Sequence, residues 1–119
     1  MDEHAAAMSM LKSIFEDGEA ELPSGRVYTF SRMVHKERRR VFAFYTSIQE
    51  SIHRRDFSFL ESDAFAAVER IIENRVLFEG SALAKRAAHW DEYPDDYITL
   101  ITTALGVISY PFLSGAPTS

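Results

Sequence analysis

The sequence predicts a mainly α-helical domain with a minor β component: a compact helical body carrying one β-hairpin near its N-terminus. Three observations predict it. Apolar residues recur at helical spacing in several separate segments. The stretch 19–30 instead alternates around a Pro-Ser-Gly turn. The 119 residues are 46% hydrophobic and include nine Phe, five Tyr and one Trp, enough for one core and one domain. A chain of this size hides roughly two-thirds of the surface that its unfolded form exposes. The expected domain spans residues 1–113, with 114–119 a flexible tail.

Each element has a local reason. From Ala5 to Phe15, apolar residues at 7, 10/11 and 14/15 fit a short helix of good helix formers, ended by Gly18. In the next stretch Ala20 and Leu22 alternate with acids, and Val27, Tyr28, Thr29 and Phe30 favour strand. Pro23-Ser24-Gly25 supplies the turn, because proline pre-sets φ and glycine permits φ > 0. From Val34 to Arg54 the period becomes helical, through Val41, Phe44/Tyr45, Ile48 and Ile52. Lys36, Arg38, Arg39 and Arg40 open that helix against the positive end of its dipole, which calls for compensation by a partner or another segment. Ser58 and Glu61 form a capping-box pattern, with Ser62-Asp63 a competing start, and a helix to about Arg75 follows. A short extended piece at 75–80 ends in a turn, and Ser81–Ala88 reads as one or two helical turns. Pro94 fits a first helical position, and Asp95 and Asp96 its first turn. Tyr97, Leu100/Ile101, Ala104/Leu105 and Ile108 form the stripe of the last helix, which Pro111 is expected to stop. Beyond it, Ser114–Ser119 reads as a small polar tail.

Composition narrows the function. With no cysteine, the chain has no disulfide, thiolate metal site or cysteine nucleophile. The acidic start Met1-Asp2-Glu3-His4 is not that of a signal peptide. The apolar runs fall short of the ~20 residues that span a bilayer. The expectation is a soluble, cytoplasmic protein with no membrane partner. The net charge of −5 is uneven: −4 over residues 1–31, +5 over 32–55 and −6 over 56–119. An acidic balance disfavours nucleic acid as the main ligand. A basic belt between acidic ends suits docking to protein, including another copy of the chain.

Catalytic signatures do not emerge. Neither G-x-G-x-x-G nor G-x-x-x-x-G-K-[ST] occurs, nor H-E-x-x-H, nor G-x-S-x-G. His4, His35, His53 and His89 are scattered and read as solvated or capping residues. Asp91-Glu92 and Asp95-Asp96 are paired carboxylates, but loop and first-turn positions explain them without acid–base chemistry. The expectation is a non-enzyme with no cofactor, metal ligand or catalytic residue. Two segments remain as partner-binding candidates. One is the basic set Arg38, Arg39, Arg40, Arg54 and Arg55, interleaved with Phe42, Phe44 and Tyr45. At helical spacing the last two belong in the core, so a protein-docking or solvated face outweighs a base-stacking one. The other is Tyr110, Phe112 and Leu113, past the expected helix end, which either clasp the core or anchor a partner.

The order of these segments resembles a known family. An acidic start leads into Leu22-Pro23-Ser24-Gly25-Arg26-Val27-Tyr28-Thr29-Phe30 and a charged helix from Lys36-Glu37-Arg38-Arg39-Arg40. A helical remainder ends in Ala104-Leu105-Gly106-Val107-Ile108-Ser109-Tyr110-Pro111-Phe112. Over residues 19–112 this looks like the tail assembly chaperones of long-tailed bacteriophages. Less closely, it resembles small phage baseplate or tail-associated proteins that open with a similar hairpin. The resemblance implies a factor in the host cytoplasm that coats the tape-measure protein and recruits tail-tube subunits. Members often exist in two lengths through ribosomal frameshifting. The alternatives are a structural tail or baseplate component, and a nucleic-acid-binding regulator using the 35–55 basic belt.

Overall fold

A computed structural model describes residues 3–114. Helix α1 (Glu3–Asp17) is followed by strands β1 (Glu19–Glu21) and β2 (Val27–Phe30). Helices α2 (His35–Ser47), α3 (Gln49–His53) and α4 (Asp63–Arg75) come next. Strands β3 (Val76–Phe78) and β4 (Ser81–Ala82) lead to α5 (His89–Glu92) and the long α6 (Tyr97–Ser114). The mainly α fold with an N-terminal hairpin is therefore as the sequence predicts. The tail expected from 114 onward lies outside the described residues, except that Ser114 ends α6.

Glycine ends α1 because the chain there needs a left-handed residue. Gly18 has φ +79°, and its N–H donates to the Ile14 carbonyl at 2.8 Å. The hairpin closes through Gly25, whose N–H donates to the Leu22 carbonyl at 2.8 Å. Register Ala20↔Tyr28 sends Ala20, Leu22 and Tyr28 into the interior. The sheet is larger than the expected hairpin: β2 also pairs antiparallel with β3, through Tyr28↔Phe78, and β3 with β4. The β3–β4 turn uses Glu79 and Gly80, both at positive φ, the geometry that matches strand twist.

The expected 34–54 helix is interrupted at Ile48, which separates α2 from α3. The Thr46 and Ser47 hydroxyls donate to the Ala43 and Phe44 carbonyls at 3.0 and 2.7 Å. Such side-chain bonds compete with the helical ladder, and the buried Ile48 turns into the core. Ser62, not Ser58, caps α4: its Oγ accepts the Phe65 N–H at 3.1 Å, while Ser58–Glu61 forms a 3-10 turn. The helical turns expected at 81–88 are β4 followed by a 3-10 turn at Leu83–Lys85. Pro94 opens a 3-10 turn, Pro94–Asp96, rather than α6 itself.

Helix α6 is the axis of the core. Leu100, Ile101, Ala104, Leu105 and Ile108 are buried among Val41, Phe65, Val68, Ile72 and Tyr28. At Gly106 a Cβ would stand 2.9 Å from Leu11 Cδ2, so the missing side chain admits α1. The stretch Pro94–Leu113, with mean hydropathy 1.3, has the length and composition to cross a membrane, contrary to the sequence reading, and half of its most apolar window is buried inside the fold. Pro111 does not stop the helix; α6 continues one turn to Ser114. Proline removes an N–H and crowds carbonyls of the preceding turn. The carbonyl that loses its helical donor is that of Val107; its neighbour Ile108 accepts Arg38 Nη1 at 2.9 Å. Rings on both sides hold the last turn: Tyr110 packs on Phe15 with centroids 5.6 Å apart, and Phe112 on Phe42 at 4.9 Å.

Candidate functional site

Two polar regions flank α6. The first lies before its start, where the hairpin meets α5 and the 3-10 turn. Tyr28 Oη donates to Asp96 Oδ2 at 2.8 Å and lies 2.8 Å from His89 Nε2. Arg26 Nη1 donates to the same Asp96 oxygen at 3.1 Å and pairs with Asp95 at 3.2 Å. An ionised carboxylate only accepts, so the one Tyr28 O–H donates to Asp96, and His89 Nε2 then donates to Tyr28 Oη. Aromatic rings close the cluster, with Phe78 4.8 Å from His89 and the Arg26 guanidinium 4.0 Å above Tyr93.

Its electrostatics follow from burial answered by partners. Burial alone would raise the Asp96 carboxyl, but hydrogen bonds from Ser24, Tyr28 and Arg26 hold it below the ordinary carboxylate range. Burial, then Arg86, pushes His89 below the ordinary imidazole range, against Asp96 and Glu92. Burial, reinforced by Asp96, pushes the Tyr28 hydroxyl up. At 0, 3 and 2% exposure, Tyr28, His89 and Asp96 present almost no surface to a substrate. The arrangement fastens β2 to the start of α6. Asp95 and Asp96 are first-turn acids as expected, now of the Pro94–Asp96 3-10 turn, with Asp96 buried in this cluster. One sequence reading is corrected here: His89 is neither solvated nor a cap. No local pattern could reveal that His89 and Asp96 are buried, because their partners lie 61 and 68 residues away. The available signal was Tyr28 itself, a hydroxyl on the inward face of an alternating strand.

The second region lies at the other end of α6, and here the partner-binding candidates of the sequence come partly together. The Arg38 guanidinium sits 5.6 Å from the Phe15 ring, which stacks on Tyr110. Phe112 lies between Phe42 and His35, whose ring is 5.9 Å away. Leu113 faces a groove of about 340 Å³ beside Met8, Leu11 and Tyr45. Tyr110, Phe112 and Leu113 are thus half-buried helical residues rather than an extension past a helix stop. Arg39 and Arg40 are exposed and make no ion pair among the described residues. Arg54 and Arg55 stand apart, past the break at Ile48. Arg54 pairs with Glu50 at 3.5 Å, and Arg55 adopts φ +59°. Phe44 and Tyr45 pack against the core, as expected, so they do not offer free faces for base stacking.

The charge opposing the dipole at the start of α2 is answered from within only at Arg38, whose Nη1 donates to the Ile108 carbonyl. The first-turn acid Glu37 is itself taken by Arg75, through Nε and Nη2 at 2.9 and 3.2 Å. Compared with known proteins, the chain matches no family model, no curated protein and no solved structure.

Proposed function

We propose that the chain is a protein-binding assembly factor that works without chemistry of its own, in the manner of a phage tail assembly chaperone. In this reading it acts in the host cytoplasm, shields segments of the tape-measure protein and recruits tail-tube subunits. The observation that supports it is the second region: half-covered rings of Phe15, Phe42, Tyr110 and Phe112 with the Arg38 guanidinium 5.6 Å from Phe15, followed in α2 by Arg39 and Arg40, which are exposed and in no ion pair among the described residues. Aromatic and arginine side chains in such a setting supply most of the energy at protein interfaces. Exposed cations speed the encounter with an acidic partner surface and lose that effect in salt, over a Debye length of ~8 Å at physiological strength.

The test is co-expression with a tape-measure fragment, followed by co-purification of the wild type and of Arg39→Glu/Arg40→Glu. The wild type is expected to bring the fragment down. The charge-reversed protein should fold normally but associate at least about tenfold more slowly in low salt, within the range that steering spans. Equal association at every salt concentration would remove the basic face from the interface. Tight DNA binding with a steep salt slope would replace this reading by the regulator.

A further inference from the structure

Among the described residues, Arg38 is a half-buried guanidinium without an acid. Its neighbour Glu37 is committed to Arg75, and no carboxylate forms an ion pair with Arg38 itself. One Nη1 hydrogen bond goes to the Ile108 carbonyl. The rest of the guanidinium borders a cavity of about 140 Å³ walled by Phe15, Phe30, Met33 and Ile108, with Arg32 also at its wall. A single water needs roughly a tenth of that space. Burial alone depresses the Arg38 pKa, as for a cation taken out of water without a counter-charge.

The surroundings specify the occupant. Phe15, 40% exposed, lines the cavity, and Val34, 55% exposed, is the next residue in the chain after the lining Met33. We propose that the cavity receives the carboxylate of a Glu or Asp side chain on a partner segment, whose apolar neighbours cover Phe15 and Val34. A guanidinium offers parallel N–H groups that match a carboxylate in a bidentate pair. The apolar walls suit a single negative charge next to aliphatic side chains. A phosphate would instead be cradled by converging backbone N–H groups, and those of Gly18, Phe30 and Ser31 at the wall already donate within the fold. Arg32 adds a second, exposed positive charge. The inference deepens the protein-binding reading and rests on it.

The test titrates the purified full chain with acetyl-Leu-Glu-Leu-amide, with acetyl-Leu-Gln-Leu-amide and with inorganic phosphate. Nitrogen-15 spectra follow Arg38 Nε and the amides of Gly18, Ser31 and Arg32. The Glu peptide is expected to shift these signals saturably, and the Gln peptide to bind about tenfold more weakly or less. Phosphate should leave them in place. Arg38→Gln should abolish the preference for Glu. Arg32→Gln, at an exposed position, should reduce it about two- to threefold, as for a peripheral charge, and guards against a folding defect in the first variant. Equal binding of the two peptides, no binding of either, or a phosphate response matching the Glu peptide overturns the pocket. A tape-measure fragment that co-purifies equally with Arg38→Gln also overturns it, while leaving the protein-binding reading intact.

Discussion

Before the start of α6 the Arg26 guanidinium meets two carboxylates, whereas near its far end the Arg38 guanidinium meets a backbone carbonyl and a ring. Both arginines are part-buried, and both bridge segments about seventy residues apart. The difference lies in what answers the charge. At the first corner Asp96, Tyr28 and His89 join one internal network, so its energy goes into holding the hairpin on the helix bundle. At the second, cations and rings are left half-answered, which on the proposed function leaves free energy for association. Substitutions at the first corner should therefore act on stability and those at the second on binding.

The largest expected contrast runs along α6 itself. Leu105 is fully buried, and Leu105→Ala should cost about 2–5 kcal/mol through lost transfer energy and the cavity left behind. Phe112 is only half-buried, and its contribution through Phe42 and His35 is that of exposed-side aromatic pairs, so Phe112→Ala should cost about 1 kcal/mol. Chemical denaturation with constant slopes measures both. If Phe112→Ala unfolds as easily as Leu105→Ala, the end of α6 is a core clasp and the contrast between the two regions fails.

Next in size is Asp96→Asn. The shape is kept, but the charge that accepts from Tyr28 and Arg26 is lost. A hydrogen bond to a charged group contributes about 1.5–3 kcal/mol, and because Arg26 is partly solvated the loss should fall toward the lower half of that range. Removing a charge at the second region, by Arg39→Ala, should leave the denaturation midpoint unchanged. Equal losses at the two positions would mean that Arg39 has an internal role.

The third contrast is in pH. The imidazole of His89 is depressed from its ordinary value of 6.5. In the window below 6.5 the unfolded chain takes up a proton that the folded chain refuses, so unfolding is favoured as pH falls. The His89 contribution is present in full above 6.5 and declines from there toward its lower folded value. His89→Gln, which retains a donor for Tyr28, should flatten the fall in stability between about pH 7 and 5. An unchanged profile would show that His89 is protonated as easily in the fold as in the unfolded chain. Asp96, also depressed, adds a separate loss only below its ordinary value of 3.8.

What the sequence revealed of this architecture was its local part. The stripe through Leu100, Ile101, Ala104, Leu105 and Ile108 was legible because one helix face repeats, and the ends at Gly18 and Pro23–Gly25 because those residues permit or preset unusual φ. Features that depend on distant partners were hidden. The β2–β3 pairing joins Tyr28 to Phe78, and nothing within either strand announces the other. Pro111 reads as a stop until the rings around Tyr110 and Phe112 are in place. The break at Ile48 was hidden, because the apolar period runs unbroken from Val41 to Ile52. At the candidate site, sequence reasoning selected Arg38, Tyr110 and Phe112 but could not tell which side of the chain each would face. It missed Phe15, which lies in another segment, and Val34, which precedes the basic run.

The smallest expected effect separates strain from use at Arg55. The chain end of α3 has the bonds of a Schellman motif: Asp56 N–H donates to the Ser51 carbonyl at 2.8 Å and Arg55 N–H to the Ile52 carbonyl at 2.9 Å. Arg55 fills the left-handed position that glycine normally takes, at φ +59°. A side chain there costs roughly 1 kcal/mol relative to glycine. Part of that gain returns as the greater entropy of a glycine in the unfolded chain. Arg55→Gly should therefore raise stability by about 0.5–1 kcal/mol, read as a higher denaturation midpoint. The informative half of the experiment is association with a tape-measure fragment. If binding weakens while stability rises, the arginine is kept for its charge against the local backbone preference, and the basic surface extends beyond Arg39 and Arg40 to the end of α3. If stability rises and binding is untouched, Arg55 drops out of the interface, and the association surface is confined to the end of α6 and the start of α2.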